Sequence, residues 1–205
     1  IEVRIFEENN ANIPDTPQTP TGKHKIIDAP FISQMPDYPT GCESVATVMA
    51  LQHAGVHKTV LSFINSYLYR TSLPFDPNIS FGGDPRDTRN SYGCYSPVIK
   101  KALDKCFQSP EISFYKAVEL KNVSLQQLCS DYIDKDIPVI MWATIDMKPW
   151  YNGDHWYYNG KKIQWIAPEH CLLLVGYDDE HYIFNDPLKS KPFTYYKKAA
   201  VEQAY

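Results

Sequence analysis

Residues 40–55 read TGCESVATVMALQHAG, and this stretch decides how the rest of the chain is interpreted. After the cysteine, apolar residues recur at helical spacing, and Gly55 stands where a left-handed C-cap is expected. Thr40 and Glu43 have the spacing of a capping box, in which each side chain bonds a backbone N–H of the other residue. The pattern therefore predicts a helix with Cys42 in its first turn.

A cysteine in that position is a candidate nucleophile. A thiol attacks as the thiolate, and the N–H groups and dipole at a helix start stabilise negative charge, so we expect the pKa of such a thiol to fall. The alternative is that Cys42 is a small buried residue on a core-facing helix. This stretch alone does not decide between the two.

A second informative stretch, residues 168–187, reads PEHCLLLVGYDDEHYIFNDP. Two apolar strands flank a polar turn at residues 178–181, which predicts a β-hairpin. Pairing across that turn brings His170 and Asp186 side by side at the open end of the hairpin. The carboxylate can then accept a hydrogen bond from the imidazole, fix its tautomer and stabilise the imidazolium. A surface histidine beside a turn aspartate is the alternative.

Taken together, the two stretches predict a catalytic triad. A cysteine at a helix start, a histidine about 130 residues later and an acid soon after have the order and spacing of papain-like enzymes. Cys42 is then the nucleophile, His170 the general base and Asp186 the residue that orients the histidine. Gln34 precedes the cysteine and is a candidate to stabilise an oxyanion, together with the backbone N–H of Cys42.

The remaining periodicity predicts an α+β fold, in which a helical N-terminal part packs on a C-terminal antiparallel sheet. Further helices are predicted over residues 60–68, from Ser96-Pro97 onward, and over residues 124–132. Strands are predicted over residues 139–144, 155–158, 161–166, 171–177 and 182–185, with Asn159-Gly160 as a hairpin turn. Residues 74–95 are rich in Gly, Pro and Asp and are expected to form a long loop of a kind that is often functional.

Length and composition indicate one folded domain. We expect an extended N-terminal arm over residues 1–26 and a domain over residues 27–205, and 43% hydrophobic with 21% charged residues is typical of globular proteins. A formal charge of -4 leaves no basic excess for nucleic acid. The apolar runs are shorter than the roughly 20 residues of a membrane-spanning helix. A chain that begins at Ile1 without Met suggests a removed export signal or a trimmed chain.

The cysteine count points to at least one free thiol. The chain has five cysteines and no C-x-x-C pair, so a compact thiolate metal site is not expected. Cys171 follows His170 on a strand, so its side chain should point to the opposite face, into the core. The other three cysteines are interpreted as structural thiols or as containing a disulfide pair: Cys94, Cys106 and Cys129.

The other histidines show no metal-ligand spacing and are interpreted as surface residues. They are His24, His53, His57, His155 and His181. The tryptophans either line a cleft or pack on the sheet. They are Trp142, Trp150, Trp156 and Trp165.

Several segments in combination resemble the C39-like cysteine peptidases, relatives of the bacteriocin-processing double-glycine peptidases. The resembling segments are residues 29–34 with 41–44, Gly83-Asp-Pro85 with residues 92–99, and residues 170–178 with Asn185-Asp186-Pro187. The resemblance implies a papain-like fold and a triad carried by Cys42, His170 and Asp186, with Gln34 as the oxyanion residue. The bacteriocin-processing enzymes usually have an acidic residue before the cysteine, whereas Gly41 stands there in this chain.

The expected function is therefore hydrolysis of a peptide or related amide bond through a thioester. We expect a monomer that acts on a peptide or protein substrate and uses no cofactor or metal. The resemblance and the missing Met favour a secreted or cell-surface bacterial protein. Two alternatives stay open, namely a transglutaminase-like acyltransferase that passes the acyl group to an amine, and an inactive binding module that keeps the scaffold.

Overall fold

A computed structural model describes the backbone of residues 2–7 and all of residues 24–205. The helices are α1 (Cys42–His53), α2 (Val60–Ser66), α3 (Ser96–Cys106), α4 (Leu125–Asp131) and α5 (Lys198–Ala204). The strands are β1 (Glu2–Glu7), β2 (Lys25–Ile26), β3 (Arg70–Thr71), β4 (Phe81–Gly82), β5 (Tyr115–Leu120), β6 (Val139–Thr144), β7 (Tyr151–Tyr158), β8 (Lys161–Ala167), β9 (Glu169–Tyr177), β10 (His181–Asn185) and β11 (Thr194–Lys197). In the described part of the chain, no helix is long and apolar enough to cross a membrane.

The main sheet is antiparallel and has the strand order β11-β10-β9-β6-β1-β5, with β2 also paired to β9. Strand β9 lies inside this sheet, and its residues from His170 to Tyr177 are buried. Such burial on both faces explains the unbroken apolar run after the histidine. The α+β fold predicted from the sequence is confirmed.

The predicted hairpin of β9 and β10 is present. Tyr182 lies opposite Tyr177 and Asn185 opposite Leu173, with a register shift after Ile183. The last pair therefore leaves the start of β9 and the residue after β10 at the same open end. The sequence predicted the hairpin and its turn, but it did not predict the register shift.

Helix α1 is the central helix, and residues 42–51 are buried on all sides. It packs against β9 and β6, and against α2 and α3. A helix enclosed in this way carries apolar side chains around its whole circumference, which is why the apolar pattern is nearly continuous. The expected left-handed glycine after the helix is also present, since Gly55 has a φ of 84°.

The predicted capping box at the start of α1 is wrong. Gly41 is the N-cap, and no side chain of the described residues caps the helix. The hydroxyl of Thr40 donates to the carbonyl of Asp87 at 3.0 Å, and Oε1 of Glu43 accepts from the backbone N–H of Cys94 at 2.6 Å. Both side chains thus hold the long loop instead of the helix end. The first-turn position of Cys42 is nevertheless correct.

The long loop over residues 74–95 packs directly against the start of α1. A Cβ on Gly41 would lie 3.0 Å from Cβ of Pro85, so a larger residue there would require the loop to give way by a few tenths of an ångström. Asp84 bonds Arg70 and Arg86 and stabilises the loop. Hydrogen bonds to Arg86 hold the pKa of Asp84 at about 2, below its ordinary value of 3.8. The loop therefore fixes the residues that precede Cys42.

Some elements differ from the sequence prediction. Strand β7 begins at Tyr151, before the predicted start, and β5, β11 and α5 were not predicted. Helix α3 has Tyr95 as its N-cap, so Ser96 lies inside the helix, whereas Ser124 caps α4 as part of a capping box. Within the predicted arm, residues 2–7 form β1 between β5 and β6, while residues 1 and 8–23 lie outside the described residues.

All five cysteines are buried and carry free thiols. The interpretation of Cys94, Cys106 and Cys129 as structural thiols therefore agrees with the structure, and the disulfide alternative does not. Cys171 is fully buried, as expected for a core residue that follows His170 on the strand.

Candidate active site

His170 and Asp186 form a buried pair at the open end of the hairpin. Nε2 of His170 lies 2.7 Å from Oδ1 of Asp186, and each residue is only 1% exposed. The main sheet holds His170 through β6, where Ala143 is its partner. The contact that the hairpin register predicted is thus present.

Three donors surround the carboxylate of Asp186. Besides the imidazole, the hydroxyl of Tyr196 donates to Oδ2 at 2.7 Å and the backbone N–H of Leu188 donates to Oδ1 at 2.9 Å. Burial by itself would raise the pKa of Asp186, but the hydrogen bond and charge of His170, with the two other donors, hold that pKa below its ordinary value. The carboxylate is therefore ionised at neutral pH.

The ionised carboxylate also fixes the imidazole tautomer. A carboxylate only accepts hydrogen bonds, so Nε2 of a neutral His170 must carry the proton in this contact. Nδ1 is then left with a lone pair. That nitrogen can accept a proton from a nearby acid.

The thiol of Cys42 lies beside the first residues of β9. It donates to Oε2 of Glu43 at 3.4 Å and accepts from the backbone N–H of Cys171, the residue after the histidine. Among the described residues, Cys42 makes no hydrogen bond to the His170 ring. In this structure the thiol is thus turned toward a carboxyl group.

The surroundings of Cys42 are acidic, contrary to the expectation from its place at a helix start. Burial raises the pKa of the thiol well above its ordinary value, and the nearby carboxyls of Glu43 and Glu169 raise it further. Burial also raises the pKa of Glu43 to about 7, and burial together with Glu43 raises the pKa of Glu169. The resting thiol is therefore protonated, and the lowered pKa that we expected is not found.

Gln34 is buried and lies close to the end of the hairpin. Its backbone N–H donates to the carbonyl of Pro187 at 2.9 Å, which ties it to the residue after Asp186. Its side-chain Nε2 donates to the carbonyl of Pro39 at 2.8 Å. An amide nitrogen has two N–H groups, so one of them is available for a further acceptor.

A cavity of about 400 Å³ opens next to Glu169. Its lining is largely aromatic and aliphatic and includes Tyr95, Trp142, Trp150, Ile166 and Tyr205. The other two tryptophans pack against aromatic residues, with Trp156 stacked on Phe75 and Trp165 stacked on Tyr95. Trp142 and Trp150 thus line this cavity, while Trp156 and Trp165 belong to a cluster of aromatic rings.

Three residues of the site were missed in the sequence. Tyr196 lies on a strand that was not predicted, and Glu169 carries no sequence signal of its own beside His170. Glu43 was assigned to a capping box. A signal for Glu43 exists in hindsight, because it is the only charged residue in the otherwise uncharged run from Thr40 to Gln52.

Comparison with known proteins gives consistent results. The model of the Peptidase_C39 like family matches residues 26–205. The chain is 27% identical over 173 residues to the uncharacterized protein YvpB of Bacillus subtilis strain 168, in a match that covers 81% of this chain and 66% of YvpB. It also resembles the crystal structure of a "putative C39-like peptidase" from Bacillus anthracis, with a TM-score of 0.76, 27% identity, and coverage of 88% of this chain and 91% of the other. The likeness shows a papain-like fold.

Proposed function

Because the chain belongs to the Peptidase_C39 like family, we propose that it is a cysteine peptidase that cleaves a peptide or related amide bond through a thioester. Cys42 is the nucleophile, His170 the general base and Asp186 the orienting acid. One observation carries this proposal: a buried histidine is hydrogen-bonded to a buried carboxylate at 2.7 Å, next to the backbone N–H that contacts the Cys42 thiol.

The first step is formation of the nucleophile. The Cys42 side chain turns from Glu43 toward Nδ1 of His170 and transfers its proton, which the Asp186 carboxylate favours by stabilising the imidazolium. Catalytic hydrogen bonds that are long or absent in a free enzyme often form only with substrate bound. Substrate binding is therefore expected to shift the Cys42 thiol from Glu43 to His170.

The second step is acyl transfer. Sγ of Cys42 attacks the substrate carbonyl carbon, and the tetrahedral oxyanion receives hydrogen bonds from the backbone N–H of Cys42 and from Nε2 of Gln34. The C–N bond breaks as His170 gives its proton to the leaving amine. Water, deprotonated by the same histidine, then hydrolyses the thioester and releases the acid product.

The test uses an electrophilic thiol probe and an amide-bond cleavage assay on wild type, Cys42→Ala and Cys106→Ala. Cys106 is a buried thiol at the end of α3 and serves as the matched control. We expect Cys42→Ala to lose roughly 10³-fold or more of kcat/KM and to lose the label, as removal of a nucleophile does elsewhere. Cys106→Ala should keep both the activity and the label on Cys42.

The same assay addresses the two alternatives. Full activity in Cys42→Ala would refute the proposal. Incorporation of an added amine in place of water would identify an acyltransferase. A folded wild-type chain with neither label on Cys42 nor turnover would identify a binding module.

A further inference from the structure

The thiol of Cys42 and the carboxyl groups of Glu43 and Glu169 form one compact cluster. One ligand atom from each residue lies within 4.8 Å of the other two. The Cys42 sulfur is 3.4 Å from Oε2 of Glu43. These are the donor types that bind transition-metal cations, and they converge from α1 and β9, which the core holds in place.

One oxygen of the cluster has no partner. Oε1 of Glu169 is buried and accepts no hydrogen bond from the described residues. Both oxygens of Glu43 are used, by the Cys94 N–H and by the Cys42 thiol. A buried polar atom without a partner is costly, and neither carboxyl is paired with a lysine or arginine in the described part of the chain. Oε1 of Glu169 is therefore open to a cation or to a hydrogen-bond donor that the described residues do not supply.

The spacing of the cluster suits a tetrahedral cation. Zinc bonds of about 2.3 Å to sulfur and about 2.0 Å to oxygen put the two ligand atoms about 3.5 Å apart at the tetrahedral angle. The measured distance from sulfur to Oε2 of Glu43 is 3.4 Å. The ligand oxygen of Glu169 lies within 4.8 Å of the ligand atoms of the other two residues, so all three donors border the same centre.

The cavity beside Glu169 gives a cation access to the cluster. Its volume of about 400 Å³ leaves room for a cation to enter and for water to act as a fourth ligand. A site with one thiolate and two carboxylates favours Zn²⁺ or Cd²⁺ over Mg²⁺ and Ca²⁺, which prefer oxygen ligands alone. Binding releases the thiol proton and any carboxyl proton to solvent.

We propose that Cys42, Glu43 and Glu169 bind a thiophilic divalent cation such as Zn²⁺, and that the bound cation holds the Cys42 sulfur away from His170. The binding step does not depend on the proposed catalytic role. If Cys42 is the nucleophile, the consequence is reversible inhibition by Zn²⁺.

The direct test is to titrate the purified chain with Cd²⁺ and to monitor the ultraviolet absorption band of the bond between cadmium and the thiolate. We expect one Cd²⁺ per chain for wild type and for Glu180→Gln, which removes an exposed carboxylate in the β9–β10 turn. Cys42→Ser should lose the absorption, and Glu169→Gln should bind roughly 100-fold more weakly, since removal of even an outer partner of a metal site costs up to that factor. Absorption that persists in Cys42→Ser, or unchanged affinity in Glu169→Gln, would overturn the site.

A second measurement needs no variant and so is independent of whether the variants fold. The wild-type chain is alkylated with and without Zn²⁺, and modification of each cysteine is mapped by mass spectrometry. We expect Zn²⁺ to slow alkylation of Cys42 at least tenfold, and Mg²⁺ at the same concentration to have no effect. Equal rates with and without Zn²⁺ would overturn the proposal, and protection by both cations would show that soft-metal ligation is not the cause.

Discussion

Glu169 and His170 are neighbours on β9, yet they belong to opposite electrostatic environments. His170 and Asp186 form a buried pair in which the carboxylate has three donors and a lowered pKa. Glu169 lies with Glu43 and Cys42, where burial and the nearby negative charges raise the pKa values. One carboxyl oxygen of Glu169 has no hydrogen-bond partner among the described residues. Because side chains alternate along a strand, one residue step separates the two environments.

The two environments differ in how firmly they hold their side chains. Leaving a buried charged group without its hydrogen-bond partner costs roughly 1–3 kcal/mol or more. The Asp186 carboxylate has three donors, so the His170–Asp186 contact has one stable arrangement. A typical hydrogen bond contributes only about 1 kcal/mol, and the contact between the Cys42 sulfur and Glu43 is a long one at 3.4 Å, so the thiol can leave Glu43 at small cost. The orienting half of the proposed triad is therefore rigid, and the nucleophile is the adjustable half.

The largest expected effect comes from Asp186→Asn, which removes the carboxylate that is hydrogen-bonded to His170. An amide in place of the carboxylate can hold the wrong imidazole tautomer, and the corresponding change in a Ser-His-Asp enzyme lowers kcat about 10⁴-fold. We expect a loss of about 10³-fold or more in kcat/KM, measured with an amide substrate.

Asp178→Asn is a matched control for that substitution. Asp178 also contacts a histidine, with 3.1 Å between its Oδ1 and Nδ1 of His181, but both side chains are partly exposed. Exposed pairs contribute about 0.2–1 kcal/mol, so activity should stay within about twofold of wild type. Asp186→Asn with more than about a tenth of wild-type activity would contradict the orienting role.

Glu43→Gln removes one carboxyl group from the acidic surroundings of Cys42. We expect it to change the pH dependence of stability. The pKa of Glu43 is about 7 in the folded chain, against an ordinary value of 4.5. Between these values the folded state holds more protons than the unfolded state, so the free energy of unfolding falls as pH rises. The loss by about pH 8 is on the order of 3 kcal/mol for a pKa displacement of this size, and Glu43→Gln should not show it.

Urea unfolding at about pH 5 and about pH 8 measures this effect. Glu180→Gln, which removes an exposed glutamate, should retain the wild-type slope. Parallel profiles for wild type and Glu43→Gln would show that the acidic cluster does not titrate as described. A larger alkylation rate of Cys42 in Glu43→Gln is expected as well, because one of the groups that raise the thiol pKa is gone.

Some contacts of the site follow from local sequence patterns, and others do not. His170 and Asp186 could be paired because a short hairpin fixes its own register, and Cys42 could be placed at a helix start because a glycine and the apolar period bracket the helix. The meeting of Glu43 with Glu169 depends on how α1 packs against β9, and no local pattern encodes that packing. Tyr196 was missed because β11 is a short edge strand whose four residues are at most half-buried.

The smallest effect is expected from Tyr196→Phe, which removes one of the three donors to Asp186. The ring and its packing on Phe184 remain, so the change removes only the hydroxyl bond to Oδ2. A hydrogen bond to a charged group contributes about 1.5 kcal/mol or somewhat more, and we expect a loss of that size in urea unfolding at neutral pH.

The same substitution should shift the response to acid. The Asp186 pKa is lowered in the folded chain, so its contribution to stability is present above the unfolded pKa and is lost as pH falls through the folded pKa. Without the Tyr196 hydroxyl that folded pKa moves up, and the acid loss should begin at higher pH. Tyr195→Phe is the matched control, because it removes a hydroxyl from the exposed neighbour on the same strand. It should change neither the free energy of unfolding at neutral pH nor the pH at which the acid loss begins. Equal effects in the two variants would show that the hydroxyl bond to Asp186 is not the cause.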